Sequence, residues 1–269
     1  MTNAQHPGKR IEPLYLVFSF FGGIVLLFII APLGNMLLNT SFSQLTDTAM
    51  QPRVYNSIWL TLWTSMLATL LLGVLAIPFA YLLARKSFPL KRLVTALVDI
   101  PIVIPHSAAG IAILGIISRN SVIGGTADKL GFSLIGSAGG IMIAMAFVSI
   151  PFLINASRDG FAAVPVRLEK AALSLGVSPT RVFFTISVPL AWRAILSGFV
   201  LMWARGLSEF GAVIVVAYHP MVTPVLIYEE FGAVGLQYAR PISVVFIGVC
   251  LLFFLVIRLL SKDPKDAVR

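Results

Sequence analysis

Six long apolar stretches constrain the fold of this chain more than any other feature of its sequence. They cover roughly residues 14–38, 57–83, 93–117, 138–157, 190–217 and 242–260. About 20 mostly apolar residues in an α-helix cross the hydrocarbon core of a bilayer. Because lipid offers no hydrogen-bond partner to the backbone, runs of this length are helices and not strands. The sequence therefore predicts an all-α membrane protein built as a six-transmembrane-helix bundle.

The composition and the helix breakers support a packed bundle. Apolar residues make up 58% of the chain and charged residues 12%, whereas soluble domains carry about 25% charged residues. The first run extends well past the apolar region of about 7–15 residues in a signal peptide, so we interpret it as a retained helix. Prolines within the runs predict kinks supported by neighbouring helices; they are Pro78, Pro101, Pro105 and Pro151.

The distribution of Lys and Arg predicts the orientation in the cell membrane. Fifteen of them lie on one predicted side, namely Lys9, Arg10, Arg85, Lys86, Lys91, Arg92, Arg158, Arg167, Lys170, Arg181, Arg193, Arg258, Lys262, Lys265 and Arg269. The four on the other side are Arg53, Arg119, Lys129 and Arg240. Cytoplasmic loops are enriched in these residues, so the segments 1–13 and 261–269 are both predicted to be cytoplasmic. Basic clusters without a stacking surface do not indicate nucleic-acid binding.

The longest predicted cytoplasmic loop, 159–189, carries the most specific motif. Ala171, Ala172 and Leu175 give a short helix a small apolar face, and Gly176 is a predicted C-cap. Ser178-Pro179 predicts that a second helix starts directly afterwards. An ordinary amphipathic hairpin is the alternative interpretation.

This loop resembles the cytoplasmic coupling loop of ABC importer permeases. Their pattern is E-A-A, three residues, G, nine residues, then I-x-L-P. The positions that fit or flank it here are Glu169, Lys170, Ala171, Ala172, Leu175, Gly176, Ile186, Val188 and Pro189. Lys170 stands where the family commonly has glutamate, and Val188 replaces the usual leucine. That departure leaves open any ion pair attributed to the first motif position.

Two further stretches are similar to permeases for tetrahedral oxyanions. They are DIPIVIPHSAAGIAIL and WARGLSEFGAVIVVAYHPMVTPVLIYE, and the second resembles molybdate/tungstate permeases, with sulfate permeases a more distant match. The resemblance implies the fold of a type I ABC importer permease that works by alternating access. It also implies a homodimer, two cytoplasmic ATPase subunits that use ATP and Mg, and an external oxyanion-binding protein. No cofactor is expected on this chain, and Glu229 and Glu230 lie in an outer segment suited to an external partner.

Ionisable residues inside the predicted spans have two interpretations. Arg205 and Glu209 are four residues apart, so they share one helix face. Charged groups within a membrane usually face a bundle interior or a water-filled path. They could belong to a translocation pathway or form a buried pair that joins the fifth predicted helix to the third; the residues concerned are Arg205, Ser208, Glu209, Pro105 and His106. Asp99 is expected to cap a helix or to pair with Arg92.

Other classes of protein are disfavoured by what the sequence lacks. The three histidines, His6, His106 and His219, are too scattered to predict a metal site. Cys250 is a single cysteine, which excludes an internal disulfide. A membrane-embedded enzyme would need a convergent catalytic motif, and the chain has none, nor a glycine-rich phosphate loop. A stand-alone secondary transporter or channel remains as an alternative, as does a sulfate/thiosulfate permease.

Overall fold

The computed structural model describes residues 13–260, with side chains through residue 256, and this range contains helices and no strands. The helices are α1 Pro13–Leu38, α2 Phe42–Met50, α3 Pro52–Arg85, α4 Lys91–Val103, α5 His106–Ile117, α6 Val122–Lys129, α7 Ala138–Ala163, α8 Val166–Ser174, α9 Pro179–Val182, α10 Val188–Leu207, α11 Gly211–Val216, α12 Thr223–Val234 and α13 Leu236–Leu260. The all-α prediction is confirmed. Nearly all of the N-terminal segment 1–13, with His6, Lys9 and Arg10, and the tail 261–269 lie outside the described residues.

Within residues 13–260, five helices are long and apolar enough to cross a membrane. They are α1, α3, α7, the continuous helix Pro179–Leu207 and α13. A π turn, Phe183–Ser187, joins α9 to α10 within that continuous helix. The pair α4 and α5 meets the same criterion together but is bent by 112°. The predicted third span, 93–117, is therefore not one continuous helix.

The break between α4 and α5 follows from one proline. Ile104 is extended, with φ −73° and ψ 146°, because a residue before proline is disfavoured in the helical region. Pro105 also has no N–H to continue the helical ladder. Pro78, Pro101 and Pro151, in contrast, all lie inside continuous helices.

The predicted fifth span, 190–217, is wrong at both ends. Its helix begins at Pro179, inside the predicted loop, and ends at Leu207. Three residues then separate it from α11, which begins at Gly211. The Ser178 side chain caps the early start, and the early end at Leu207 lies next to a buried carboxylate at Glu209 that is described below. Arg205 consequently lies in the last turn of α10 and not near the middle of a span.

Helix α7 lies at the centre of the bundle and packs most extensively against α3 and α10. Its contact with α10 is close because small residues face each other there. A Cβ atom added to Gly160 would lie 2.4 Å from the Ala194 Cβ. Small residues at such positions let membrane helices approach closely and gain van der Waals contact.

Replacing Gly160 should test this packing. Gly160→Leu is expected to destabilise the subunit by about 1–3 kcal/mol, the usual cost of forcing extra methylenes into a filled interface. The measurement is thermal unfolding in detergent. Gly22→Leu is the matched control, because a Cβ at Gly22 in α1 meets nothing within 4 Å. Equal melting temperatures for the two variants would contradict this account of the α7–α10 contact.

Helix α1 stands apart from the rest of the bundle. It has 26 residues and none of them is buried. Arg240 Nη1, at the start of α13, donates a hydrogen bond of 2.7 Å to the Asn39 carbonyl just after α1. A helix that is apolar around its whole circumference is covered by lipid or by other membrane helices.

Candidate functional site: a coupling helix and an intramembrane ion cluster

Helices α8 and α9 form the helix-turn-helix unit that the motif predicts. The Gly176 N–H bonds the Leu173 carbonyl at 3.0 Å, and the Val177 N–H bonds the Ala172 carbonyl at 3.1 Å. This pair of bonds, with Gly176 at φ +83°, is a Schellman C-cap. Ser178 Oγ then accepts from the Arg181 N–H at 3.4 Å, and Pro179 occupies the first turn of α9. The two helices are therefore joined by a tight turn of fixed geometry.

The inner face of α8 is held by a buried ion pair at Glu169. Arg85 Nε donates to the two carboxylate oxygens at 3.0 and 2.9 Å, and Arg85 Nη2 donates to Oε1 at 2.9 Å. The two side chains are 8% and 7% exposed. Ser187 Oγ donates to Oε1 at 2.7 Å and the Tyr81 hydroxyl donates to Oε2 at 3.4 Å. We call these four residues, Tyr81, Arg85, Glu169 and Ser187, the Arg85–Glu169 cluster.

The Glu169 carboxylate stays ionised because of these partners. Burial alone raises its pKa, since it disfavours the charged form. The hydrogen bonds from Arg85 and Ser187 and the charge of Arg85 outweigh that effect, so the pKa of Glu169 lies below its usual value. The ion pair is thus made by Glu169 and not by the residue at the first motif position, Lys170, which is exposed.

The outer face of α8 is open. Ala171 is exposed, Ala172 is half-buried, and Leu175 is 84% exposed. A Cβ built on Gly176 meets nothing within 4 Å. The last two motif residues lie elsewhere: Ile186 is half-buried in the π turn, and Pro189 is exposed in the first turn of α10. The inner face of α8 is therefore fixed by the ion pair with Arg85, whereas its outer face is exposed and partly apolar.

A second ionic group lies where α10 ends. Arg205 Nη2 is 2.9 Å from Glu209 Oε2, and Glu209 is fully buried. The other carboxylate oxygen accepts from the Ala212 N–H at 2.8 Å, at the N-terminus of α11. Arg205 Nη1 donates to Ser208 Oγ at 3.2 Å. A carboxylate that accepts an amide at a helix N-terminus explains why the chain leaves one helix and begins another here.

His106, the first residue of α5, completes this group. Its Nδ1 is 2.8 Å from Glu209 Oε2, and Arg205 Nη2 lies 2.6 Å from Nδ1 and 2.9 Å from Nε2. The imidazole ring is thus within hydrogen-bond distance of both the carboxylate and the guanidinium. We call the group His106, Arg205, Ser208 and Glu209 the Arg205–Glu209 cluster, in which Arg205 and Glu209 carry opposite charges.

The Arg205–Glu209 cluster has a buried side and an open side. Its carboxylate is enclosed, whereas the Arg205 and His106 side chains are 22% and 35% exposed, and Ser208 and Pro105 are exposed. A Cβ on Gly211 would lie 2.7 Å from the His106 Cβ, so α5 and α11 touch at this point. The structure thus brings together all five of the predicted intramembrane site residues.

The predicted pairing of Asp99 with Arg92 is wrong. Asp99 accepts a hydrogen bond of 2.7 Å from Asn155 Nδ2 on α7. Arg92 lies seven residues earlier on the same helix, which is about 10 Å along the axis. Asp99 therefore contacts Asn155 on the neighbouring helix and not Arg92 on its own helix.

The far end of α3 carries a third ionic group. Arg53 pairs with both Glu229 and Glu230 on α12. The Tyr218 hydroxyl donates to Glu229 Oε2 at 2.9 Å, and this bond raises the pKa of Tyr218 above its usual value. Arg53 and Arg85 lie at opposite ends of α3, so this group and the Arg85–Glu169 cluster are on opposite faces of the bundle. No group of side chains in the described part of the chain has the composition of a metal site.

Comparison with known proteins decides the family. The model of the family of binding-protein-dependent transport system inner membrane components matches residues 76–265. The chain belongs to this family. As an inner membrane component, it is a multi-pass transport subunit and not an enzyme. The matched range contains the Arg205–Glu209 cluster and all of the coupling motif.

Relatives of this inner membrane component extend over nearly the whole chain. The molybdate/tungstate transport system permease protein of Pyrococcus abyssi is 40% identical over 261 residues, which cover 96% of this chain and 100% of the relative. That of Thermococcus kodakarensis is 41% identical over 252 residues, 93% of this chain and 96% of the relative. The sulfate transport system permease protein of a Synechocystis strain is 29% identical over 248 residues, 88% of this chain and 86% of the relative.

Solved structures of ABC importers share the fold. A chain of a bacterial transporter that imports the acidic polysaccharide alginate aligns with a TM-score of 0.71 at 15% identity, over 95% of this chain and 96% of that one. A chain of a methionine ABC transporter aligns with a TM-score of 0.59 at 16% identity, over 80% of this chain and 96% of that one. The predicted fold of an ABC importer permease is therefore confirmed.

Four residues that hold these contacts were not predicted from the sequence. Arg85 and Tyr81 lie 84 and 88 positions before Glu169, Ser187 lies 18 positions after it, and Asn155 lies 56 positions after Asp99. No local pattern connects partners at such separations. The one available signal was the presence of a basic residue at the very end of an apolar run, which Arg85 satisfies.

Proposed function

We propose that this chain is the membrane-spanning subunit of an ATP-driven importer for a tetrahedral oxyanion, molybdate or tungstate. The observation that carries the proposal is the relation to molybdate/tungstate permeases at 40 and 41% identity over nearly the full chain. Permeases named for sulfate are less similar, at 29–30% identity. Sulfate is therefore the second candidate substrate.

The proposed assembly contains two copies of this chain, two cytoplasmic ATPase subunits and an external oxyanion-binding protein. The open face of α8, with Ala171, Ala172 and Leu175, is the surface proposed to dock on the ATPase. We place this end of the bundle in the cytoplasm, together with both termini, because basic residues concentrate there. The opposite end, with Glu229 and Glu230, is proposed to receive the binding protein. The chain itself is proposed to bind no cofactor, since ATP and Mg belong to the ATPase.

We propose that the main role of the Arg205–Glu209 cluster is structural: it holds neighbouring helices together. The Glu209 carboxylate is fully buried and has Arg205, His106 and the Ala212 N–H as partners. Its role is to hold the break between α10 and α11 against α5. The open side of Arg205 is proposed to border the translocation path, but a guanidinium that is already paired with a carboxylate binds an anion weakly. Weak binding suits a subunit that must release its substrate.

Uptake by the complete transporter tests the substrate. The complex of this chain with its ATPase is reconstituted in vesicles and supplied with the binding protein of the same system. Molybdate and tungstate are expected to accumulate only with ATP and the binding protein, and sulfate to stay at background, as quantified by elemental analysis of the vesicles. Sulfate uptake equal to that of molybdate would favour the second candidate. Uptake that persists without ATP would instead indicate a stand-alone transporter or channel.

A further inference from the structure

One arginine side chain connects the coupling helix to two membrane spans. Arg85 is the last residue of α3 and holds Glu169 of α8 through both carboxylate oxygens. Its Nη2 also donates a hydrogen bond of 2.9 Å to the carbonyl of Val164, the C-cap of α7. The end of α3, the end of α7 and the inner face of α8 therefore meet at a single guanidinium.

The π turn brings a fourth element to the same carboxylate. Ser187 is its last residue, and its buried hydroxyl donates to Glu169 at 2.7 Å. A π turn inside an α-helix is uncommon and is frequent at functional sites. In this protein the π turn directs Ser187 toward α8, and the helix continues directly as α10.

The two faces of α8 therefore differ in what they contact. The inner face is fixed to α3 and to the π turn before α10 by hydrogen bonds to the Glu169 carboxylate, and Arg85 links it to the end of α7. Charge-assisted hydrogen bonds of this kind are stronger than neutral ones and geometrically specific. The outer face presents Leu175 and Gly176 to the surroundings. A force applied to the outer face of a helix that is fixed in this way moves the ends of three spans instead of bending a loop.

We propose that Arg85 and Glu169 are positioning residues for transport coupling: their buried ion pair makes α8 one rigid body with the ends of α3, α7 and α10. The proposal rests on the proposed function, because it assumes an ATPase that moves α8. Loss of the pair should leave the ATPase attached to the outer face and able to hydrolyse ATP. What is lost is the transmission of its motion to the spans.

The experiment uses the complete transporter in vesicles and measures anion uptake and ATP hydrolysis on the same preparation. The variants are Glu169→Gln, which removes the charge and keeps the shape, and Arg85→Lys, which keeps the charge and loses the two-oxygen grip. Coupling between distant sites typically amounts to a 5–150-fold effect, so we expect ATP hydrolysed per anion imported to rise about tenfold in Glu169→Gln and less in Arg85→Lys. Lys86→Gln, an exposed charge removal next to Arg85, should keep the wild-type ratio.

Three outcomes would overturn the inference while leaving the transport function intact. They are an unchanged ratio in Glu169→Gln, a proportional loss of uptake and hydrolysis, and loss of the ATPase from the purified complex. If Glu169→Gln does not fold, the double variant Arg85→Met with Glu169→Leu is used, because an apolar pair of similar volume often restores stability. We expect that variant to fold and remain uncoupled, and restored coupling would refute the proposal. A wild-type complex that imports no oxyanion would refute the proposed function instead.

Discussion

Arg205→Met alone should destabilise the folded subunit by about 3–5 kcal/mol, the usual effect of removing one partner from a buried ion pair. The reason is the environment of Glu209, whose side chain is fully buried and would lose its cation. Thermal unfolding of the purified subunit in detergent measures the effect.

The double variant Arg205→Met with Glu209→Leu separates a structural role from a transport role. Replacing a buried pair by apolar residues of similar volume is often neutral or stabilising. If the Arg205–Glu209 cluster is a structural joint, the double variant should regain most of the lost stability and much of the uptake.

A stable double variant that transports nothing would contradict the structural interpretation. Arg205 would then serve the anion directly, through the Nε–H and the Nη1 hydrogen that its contacts with Ser208, His106 and Glu209 leave available. Ser208→Ala is a matched control, since it removes one exposed hydroxyl contact of Arg205 and leaves the ion pair in place. It should change stability by less than about 1.5 kcal/mol, the upper range for a single neutral hydrogen bond.

Gly176→Val should abolish transport and detach the ATPase without unfolding the bundle. Gly176 has φ +83°, a conformation that costs a residue with a Cβ about 1–2 kcal/mol and more for a β-branched one. The turn between α8 and α9 would change shape, whereas the nearest spans would not, because a Cβ there meets nothing within 4 Å. Since 1.4 kcal/mol corresponds to a factor of ten, we expect the ATPase recovered with the purified complex to fall by about tenfold or more.

Two companion variants show what the turn requires. Gly176→Asn keeps a residue that tolerates the left-handed region, so it should retain most of the ATPase if the requirement is conformational. Ala172→Asp places a charge on the half-buried edge of the outer face and should also prevent attachment. Normal uptake and normal ATPase recovery in both Gly176→Val and Ala172→Asp would show that these residues are not at the contact.

The fold was largely predictable because lipid imposes a simple rule on sequence. Long apolar runs must be helices, so the predicted runs 14–38, 57–83, 138–157 and 242–260 each fall within one helix, α1, α3, α7 and α13. The helices α3, α7 and α13 extend beyond these runs by up to six residues at one or both ends. The bend at Pro105 was predicted as a kink but not as a break of 112°. A proline indicates where the helical hydrogen-bond pattern is interrupted, but the angle depends on how the next helix packs. The end of α10 was missed because hydropathy stays high from 190 to 217, while the break depends on a capping carboxylate at Glu209.

The site was predictable only in its local parts. The turn at Gly176 and the restart at Pro179 follow from conformational preferences of single residues, and the spacing of Arg205 and Glu209 follows from helix geometry. The partners Arg85 and Ser187 depend on tertiary packing, because each lies on another helix or beyond a turn from the carboxylate that it contacts. His106 was among the predicted site residues, but its contact with Glu209 depends on packing as well. Distant polar contacts of this kind leave no periodic pattern in one sequence.

The opposite charges of Arg205 and Glu209 bear on how the membrane voltage acts on this protein. Moving one elementary charge through a potential of 100 mV involves about 2.3 kcal/mol. Arg205 and Glu209 carry opposite charges 2.9 Å apart, so a rearrangement that moves them together does almost no electrical work. An imported dianion has no such compensation, and an inside-negative potential of 100 mV opposes it by about 4.6 kcal/mol on the same scale. The voltage therefore acts on the cargo and hardly on this ion pair, and in the proposed transporter the energy to overcome it would enter through α8.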